Sequence, residues 1–113
     1  MGERPLKADY SYTLWLEKEV HSGRKRLPGK VRQRVKRALD TLASDPRPAN
    51  SQPLDMTDLD IPAMVEIRRL RMEKWRVIYA VNDTEEWVWV LAIRQRPPYD
   101  YEDLYELATG LGD

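Results

Sequence analysis

The 113-residue chain has no cysteine, which excludes disulfides and thiolate metal sites. Its one histidine, His21, argues against a histidine metal cluster. Long apolar runs are also missing: no stretch approaches the roughly 20 residues that span a bilayer. Met1–Asp9 are polar and include Pro5, unlike a secretory signal. These absences predict a soluble, cytoplasmic protein with no membrane partner, metal or cofactor. Internal repeats and low-complexity segments are lacking too. What is present supports a fold: 42% of residues are hydrophobic against 34% charged, which argues against global disorder. The length suits one domain over residues 1–113, with residues 1–9 expected to be a flexible extension.

The net charge is zero, but the charge is segregated. Between His21 and Arg37 lie Arg24, Lys25, Arg26, Lys30, Arg32, Arg34, Lys36 and Arg37, with no acidic residue among them. Acids collect at Asp55, Asp58 and Asp60, at Asp83, Glu85 and Glu86, and from Asp100 to Glu106. A basic run of this kind either forms a solvated helix face or attracts phosphates over a Debye length of roughly 8 Å.

Tyr10 to Leu16 read as a strand, with Tyr10, Tyr12, Leu14 and Leu16 on one face and Trp15 on the other. A short helical turn follows from Glu17 to about Ser22. Val31, Val35, Leu39 and Leu42, with Ala38, recur at helical spacing between Pro28 and the stop signal Asp45-Pro46. The proline-rich stretch from Asp45 to Pro62 predicts a surface connection. Met64–Leu70, Trp75–Asn82 and Trp87–Ile93 then form an antiparallel meander with a turn at Asn82–Glu86. In the last run Val88, Val90 and Ala92 are expected on one face, and Trp87, Trp89, Leu91 and Ile93 on the other. Asp100 is placed to cap a C-terminal helix with the stripe Tyr101, Leu104, Tyr105 and Ala108, ending near Gly110. The fold class is therefore α+β: an antiparallel sheet of about four strands packed against an N-terminal helical pair, with a C-terminal helix.

Arginine enters this apolar framework repeatedly. Arg68, Arg69 and Arg71 lead in, Arg76 sits inside the next run, and Arg94 and Arg96 close the last. Guanidinium stays protonated at neutral pH and is costly to hold beside a packed sheet, so these groups require carboxylates or an anion. Two duties compete for Arg76: an ion pair with Glu66 or Glu73, or a grip on nucleic-acid phosphate. Trp15, Trp75, Trp87 and Trp89 read as packing anchors, although a Trp75 exposed beside Arg76 would suit base stacking.

The pairs Leu27-Pro28 and Asp45-Pro46, the strand Trp75-Arg76-Val77-Ile78-Tyr79 and the run VWVLAIRQRPPYDY resemble the RelE/ParE superfamily of bacterial toxins. In that family a leucine-proline pair opens the long helix, an Asp-Pro or Asn-Pro pair closes it, and an aromatic-Arg-Val-x-Tyr strand lies at the sheet centre. The resemblance implies a toxin of a type II toxin-antitoxin system, silenced by a cognate antitoxin. RelE-like members cut mRNA on the ribosome, which would make this chain a metal-independent endoribonuclease and translation repressor. ParE-like members instead poison DNA gyrase, and a non-toxic binding module of the same fold is a third outcome. Carried over residue by residue, Arg76 matches the sheet arginine near the scissile phosphate, and Arg96 the basic residue after the last strand. Tyr99 or Tyr101 lies near the family's tyrosine, with Tyr99 the better chemical candidate because Tyr101 shares a helical stripe. The catalytic set is thus Arg76, Arg96 and Tyr99, with Arg68, Arg69, Arg71, Arg94 and Tyr101 binding substrate.

Cleavage by the ribose 2′-hydroxyl needs a proton acceptor, a donor to the leaving 5′-oxygen, and cations for the charge that develops on phosphorus. Arginine serves the last task well but carries protons poorly. Acid–base chemistry therefore falls to Tyr99, Tyr101 or Glu66, or to positioning on the ribosome.

Overall fold

The computed structural model describes residues 11–56 and 61–95. Within them β1 is Thr13–Leu16, α1 Lys18–Gly23, followed by a 3₁₀ turn at Arg24–Arg26, and α2 Gly29–Ser44. Then come β2 Ser51–Pro53, β3 Val65–Met72, β4 Trp75–Asn82 and β5 Trp87–Gln95. The strands form one sheet in the order β1-β5-β4-β3-β2. The β2–β3, β3–β4 and β4–β5 ladders are antiparallel, whereas β1 pairs parallel to β5. The architecture is α+β, but with a mixed sheet of five strands rather than an antiparallel sheet of four. Parallel pairing needs a long crossover, which the helical pair together with β2, β3 and β4 provides. The expected C-terminal helix from Asp100 lies outside the described residues.

Pro28 precedes α2 in an extended conformation, and its carbonyl accepts a 2.8 Å bond from Arg32 N. The α2 stripe is buried as expected: Val35, Leu39 and Leu42 join Val77, Tyr79, Val81, Val88 and Val90 in one cluster, flanked by Val31 and Ala38. Tyr12, Leu14 and Leu16 pack against that cluster, while Trp15 on the other face of β1 is 51% exposed. Asp45-Pro46 ends the helix, and Pro46 O accepts a 2.7 Å bond from the buried Tyr79 hydroxyl. The helix exit is thereby fastened to the sheet centre.

On the opposite face a second cluster gathers Ile67, Ile78, Ala80, Leu91 and Ala92 under Leu54, Met56 and Ile61. Its composition corrects the expected faces of β5. Leu91 is an extra residue opposite the Ile78/Tyr79 step, since Ile78 pairs with Ala92 and Tyr79 with Val90. This bulge reverses the alternation, sending Ala92 to the side of Trp87 and Trp89, and Ile93 to the side of Val88 and Val90. The tryptophans pack on one another, with Trp89 centred 6.2 Å from Trp15 and 6.0 Å from Trp87. Trp75 shares the helix-side face of β4 with Val77 and Tyr79, away from the Arg76 side chain.

Among the described residues two non-glycine residues take left-handed backbone, Glu73 at φ 55° and Glu86 at φ 58°, each in a hairpin turn. Asn82 Oδ1 accepts from Glu85 N at 2.9 Å and shapes the second turn. A β-carbon costs about 1–2 kcal/mol in that region. Glu86→Gly is therefore expected to raise stability by about 0.5–1 kcal/mol after the unfolded-state entropy of glycine is deducted. The check is a higher urea midpoint at unchanged slope.

A candidate phosphate-binding cleft

Register builds the site. Arg76, near the start of central strand β4, pairs with Arg71 on β3 and with Arg94 on β5. Strands lie about 4.8 Å apart, so these three residues form a row across the sheet, on the face away from the helices. Arg69, two residues from Arg71, shares that face. Like charges directly opposite one another oppose sheet formation. An anion-binding surface requires just such a concentration of cationic donors.

Arg71, Arg76 and Arg69 line a cleft of about 360 Å³, closed on one side by Asn50, Ser51 and Gln52. That wall is β2, which the proline-rich stretch does not announce. Asn50 Nδ2 donates to Arg71 O and Arg71 N to Asn50 O, both at 2.9 Å. Arg71 is exposed, and Arg69 and Arg94 are half-buried. Arg76 is only 4% exposed, and its Nη1 donates to Glu73 O at 2.7 Å and Trp75 O at 2.8 Å. Arg76 therefore braces the β3–β4 hairpin through backbone carbonyls, while the Glu73 carboxylate pairs with Arg34. Neither Arg69 nor Arg71 forms an ion pair among the described residues.

Arg68 stands apart from the row. It projects to the helix side of β3, 8% exposed, with Nη1 3.1 Å from Glu66 Oε2 and Nη2 2.9 Å from Ser51 Oγ. Glu66 also accepts from Arg47 Nε at 3.0 Å, so this carboxylate serves an ion-pair network on the wrong face for acid–base work in the cleft. Arg96, Tyr99 and Tyr101 lie outside the described residues.

Arg47 is the residue that sequence reasoning missed. Following Asp45-Pro46, it clamps Asp83 with two bonds of 3.1 and 2.9 Å, while Tyr12 OH donates to Asp83 Oδ1 at 2.7 Å. These bonds, from Arg47 first and Tyr12 second, hold the Asp83 carboxyl below its usual range. The same bond to Asp83 raises the Tyr12 hydroxyl, and burial raises that of Tyr79. Asp83 thus contributes stability that is complete above the ordinary aspartate value of about 3.9 and fades as pH falls through its lower folded value. The advantage of wild type over Asp83→Asn should be present at pH 7, shrink below about pH 4, and decrease with salt because the pair is exposed. Urea midpoints at the two pH values measure it.

The basic run from His21 to Arg37 lies on the helical layer, behind the sheet from the arginine row. Arg34 pairs with Glu73 and Lys36 with Asp40, while Lys25, Arg26, Lys30 and Arg37 are exposed. Among the described residues no group of histidine, cysteine or carboxylate side chains could hold a metal, and no helix is long and apolar enough to cross a membrane.

Comparison with known proteins places this geometry. Residues 16–97 match the family described as the ParE toxin of the type II toxin-antitoxin system parDE. The fold is similar to RelE in the archaeal RelE-RelB complex from Pyrococcus horikoshii, with TM-score 0.68 and 23% identity over 79% of this chain and 99% of that one. It is also similar to the RelBE2 complex of Mycobacterium tuberculosis, with TM-score 0.60 and 20% identity over 76% and 99% of the two chains. Isolated E. coli RelE gives TM-score 0.57 and 20% identity over 88% and 97%. A search of curated proteins finds no match. The Leu-Pro start, the Asp-Pro stop and the central Trp-Arg-Val-x-Tyr strand occupy the places expected of them, and the family match spans most of the chain: this protein belongs to the ParE toxin family of type II toxin-antitoxin systems, within the RelE/ParE superfamily.

Proposed function

We propose that this toxin represses translation by ribosome-dependent endonucleolytic cleavage of mRNA, and that a cognate antitoxin silences it. The observation that carries the reading is the row Arg71–Arg76–Arg94 with Arg69 beside it, of which Arg69, Arg71 and Arg76 line a polar cleft. Guanidinium groups offer paired N–H donors to phosphate oxygens and stabilise charge developing at phosphorus. In this mechanism the ribose 2′-oxygen attacks phosphorus and the 5′-oxygen leaves. Arg76 and Arg96 clamp the phosphate and Tyr99 assists proton transfer. Arg69, Arg71, Arg94 and Tyr101 hold the flanking strand. Arg68 supports the cleft from behind through Ser51 rather than touching RNA.

Induced expression followed by mapping of RNA 5′ ends tests this. Translation should stop, with cut messages accumulating, and Arg96→Ala should slow cleavage about 100-fold, the scale for losing one charge-stabilising donor. Growth arrest with intact messages and DNA-damage signalling would establish the alternative, a gyrase poison. Absence of any arrest would identify a non-toxic module.

A further inference from the structure

Beside its arginines the cleft has a wall of three uncharged polar residues, Asn50, Ser51 and Gln52, and the hydrogen bonds show which side chain a ligand can use. Asn50 Nδ2 is spent on Arg71 O at 2.9 Å. Ser51 pairs with Leu70, so its hydroxyl points to the helix side, where it donates to Pro48 O at 2.7 Å and accepts from Arg68 Nη2 at 2.9 Å. Gln52 differs from both. It pairs directly with Arg69, and residues opposed across a ladder project to the same face, so its side chain stands on the cleft side. It is exposed and makes no hydrogen bond among the described residues. The β-carbons of such a pair lie about 5 Å apart, so a phosphate gripped by Arg69 or Arg71 brings a base edge within reach of the Gln52 amide. Arginine holds every nucleotide alike through its phosphate, whereas base selection needs donors and acceptors set against a base edge. Glutamine supplies both, and its carbonyl beside its NH₂ matches the N6–H₂ and N7 of adenine.

We infer that Gln52 selects the message sequence at which this toxin cuts. Its carbonyl accepts from N6 and its NH₂ donates to N7 of an adenine flanking the scissile phosphate, while Arg69 and Arg71 hold the backbone of that strand. The inference rests on the ribonuclease reading above, and its test separates the two.

The experiment maps RNA 5′ ends on one set of messages translated by ribosomes in the presence of wild type, Gln52→Ala or Gln52→Arg. Position 52 is exposed on the edge strand β2, so both variants should fold with the wild-type urea midpoint. Wild type should cut preferentially where adenine occupies one fixed position beside the cut. In Gln52→Ala the ratio of cleavage at adenine to cleavage at the other bases should fall about 10-fold, the scale of one bidentate base contact. Gln52→Arg should move the preference to guanine, whose O6 and N7 both accept from a guanidinium. A wild type with no preference for adenine, a preference that persists in both variants, or slowing by one common factor at every sequence would overturn the role of Gln52 and leave the ribonuclease reading intact. Messages left whole by the wild-type protein would overturn both.

Discussion

Leu39→Ala is expected to cost about 3 kcal/mol of folding stability, within the 2–5 kcal/mol range for emptying a buried leucine site. Leu39 is 1% exposed, between Val35 and Leu42 on α2, and faces the β4 and β5 valines across the helix–sheet interface. Removing its isobutyl group forfeits the transfer of that apolar surface from water and leaves a void that packed neighbours fill only in part. Domains of this size are stable by about 5–15 kcal/mol, so the loss is a large share of the total. Leu39→Met, which conserves volume, should cost less than about 1.5 kcal/mol. Gln33→Ala, on the exposed side of the same helix, should stay within about 0.5 kcal/mol. Urea denaturation followed by tryptophan fluorescence would report all three. Equal midpoints for Leu39→Ala and Gln33→Ala would mean that α2 does not cover the sheet.

Glu66→Ala should be the second most damaging change, at about 2 kcal/mol, and for an electrostatic reason. Arg68 is nearly buried and relies on Glu66 and Ser51, while Arg47 draws on the same carboxylate. Deleting one member of a fully buried pair costs about 3–5 kcal/mol because the remaining charge is stranded. The Glu66 side chain is 35% exposed, so water and Ser51 recover part of that cost. The diagnostic result is non-additive: Arg68→Met in the Glu66→Ala background should restore stability, because the stranded cation is gone. If the double variant is less stable than Glu66→Ala alone, the charge explanation fails and Arg68 matters through packing.

These variants also mark what the sequence could and could not tell. α2 was legible because its stripe and its proline signals are local, and the Asn82–Glu86 turn for the same reason. β2 was not, since Ser51-Gln52-Pro53 is short and polar and becomes a strand only because β3 offers it an edge. Nothing local encodes the parallel union of β1 with β5, a pairing between distant segments. The arginines show the same division. That they cluster was readable, but a one-residue register step decides which face each occupies. The observed register sends Arg69 and Arg71 into the cleft and Arg68 behind it. The bulge at Leu91 likewise re-sorted β5. Glu66 and Glu73, weighed as partners for Arg76, give their carboxylates to Arg47, Arg68 and Arg34 instead.

The parallel β1–β5 ladder imposes an order of events during synthesis. β1 is made early, yet its neighbour in the sheet among the described residues is the last described strand, and Tyr12 meets Asp83 across 71 residues. Closing so large a loop is entropically costly until the meander exists to reward it. β1 therefore docks late, after the β3–β4–β5 hairpins have nucleated locally. A nascent chain halted before Trp87 has no place for β1 to dock, and its helical pair has only part of a sheet to cover.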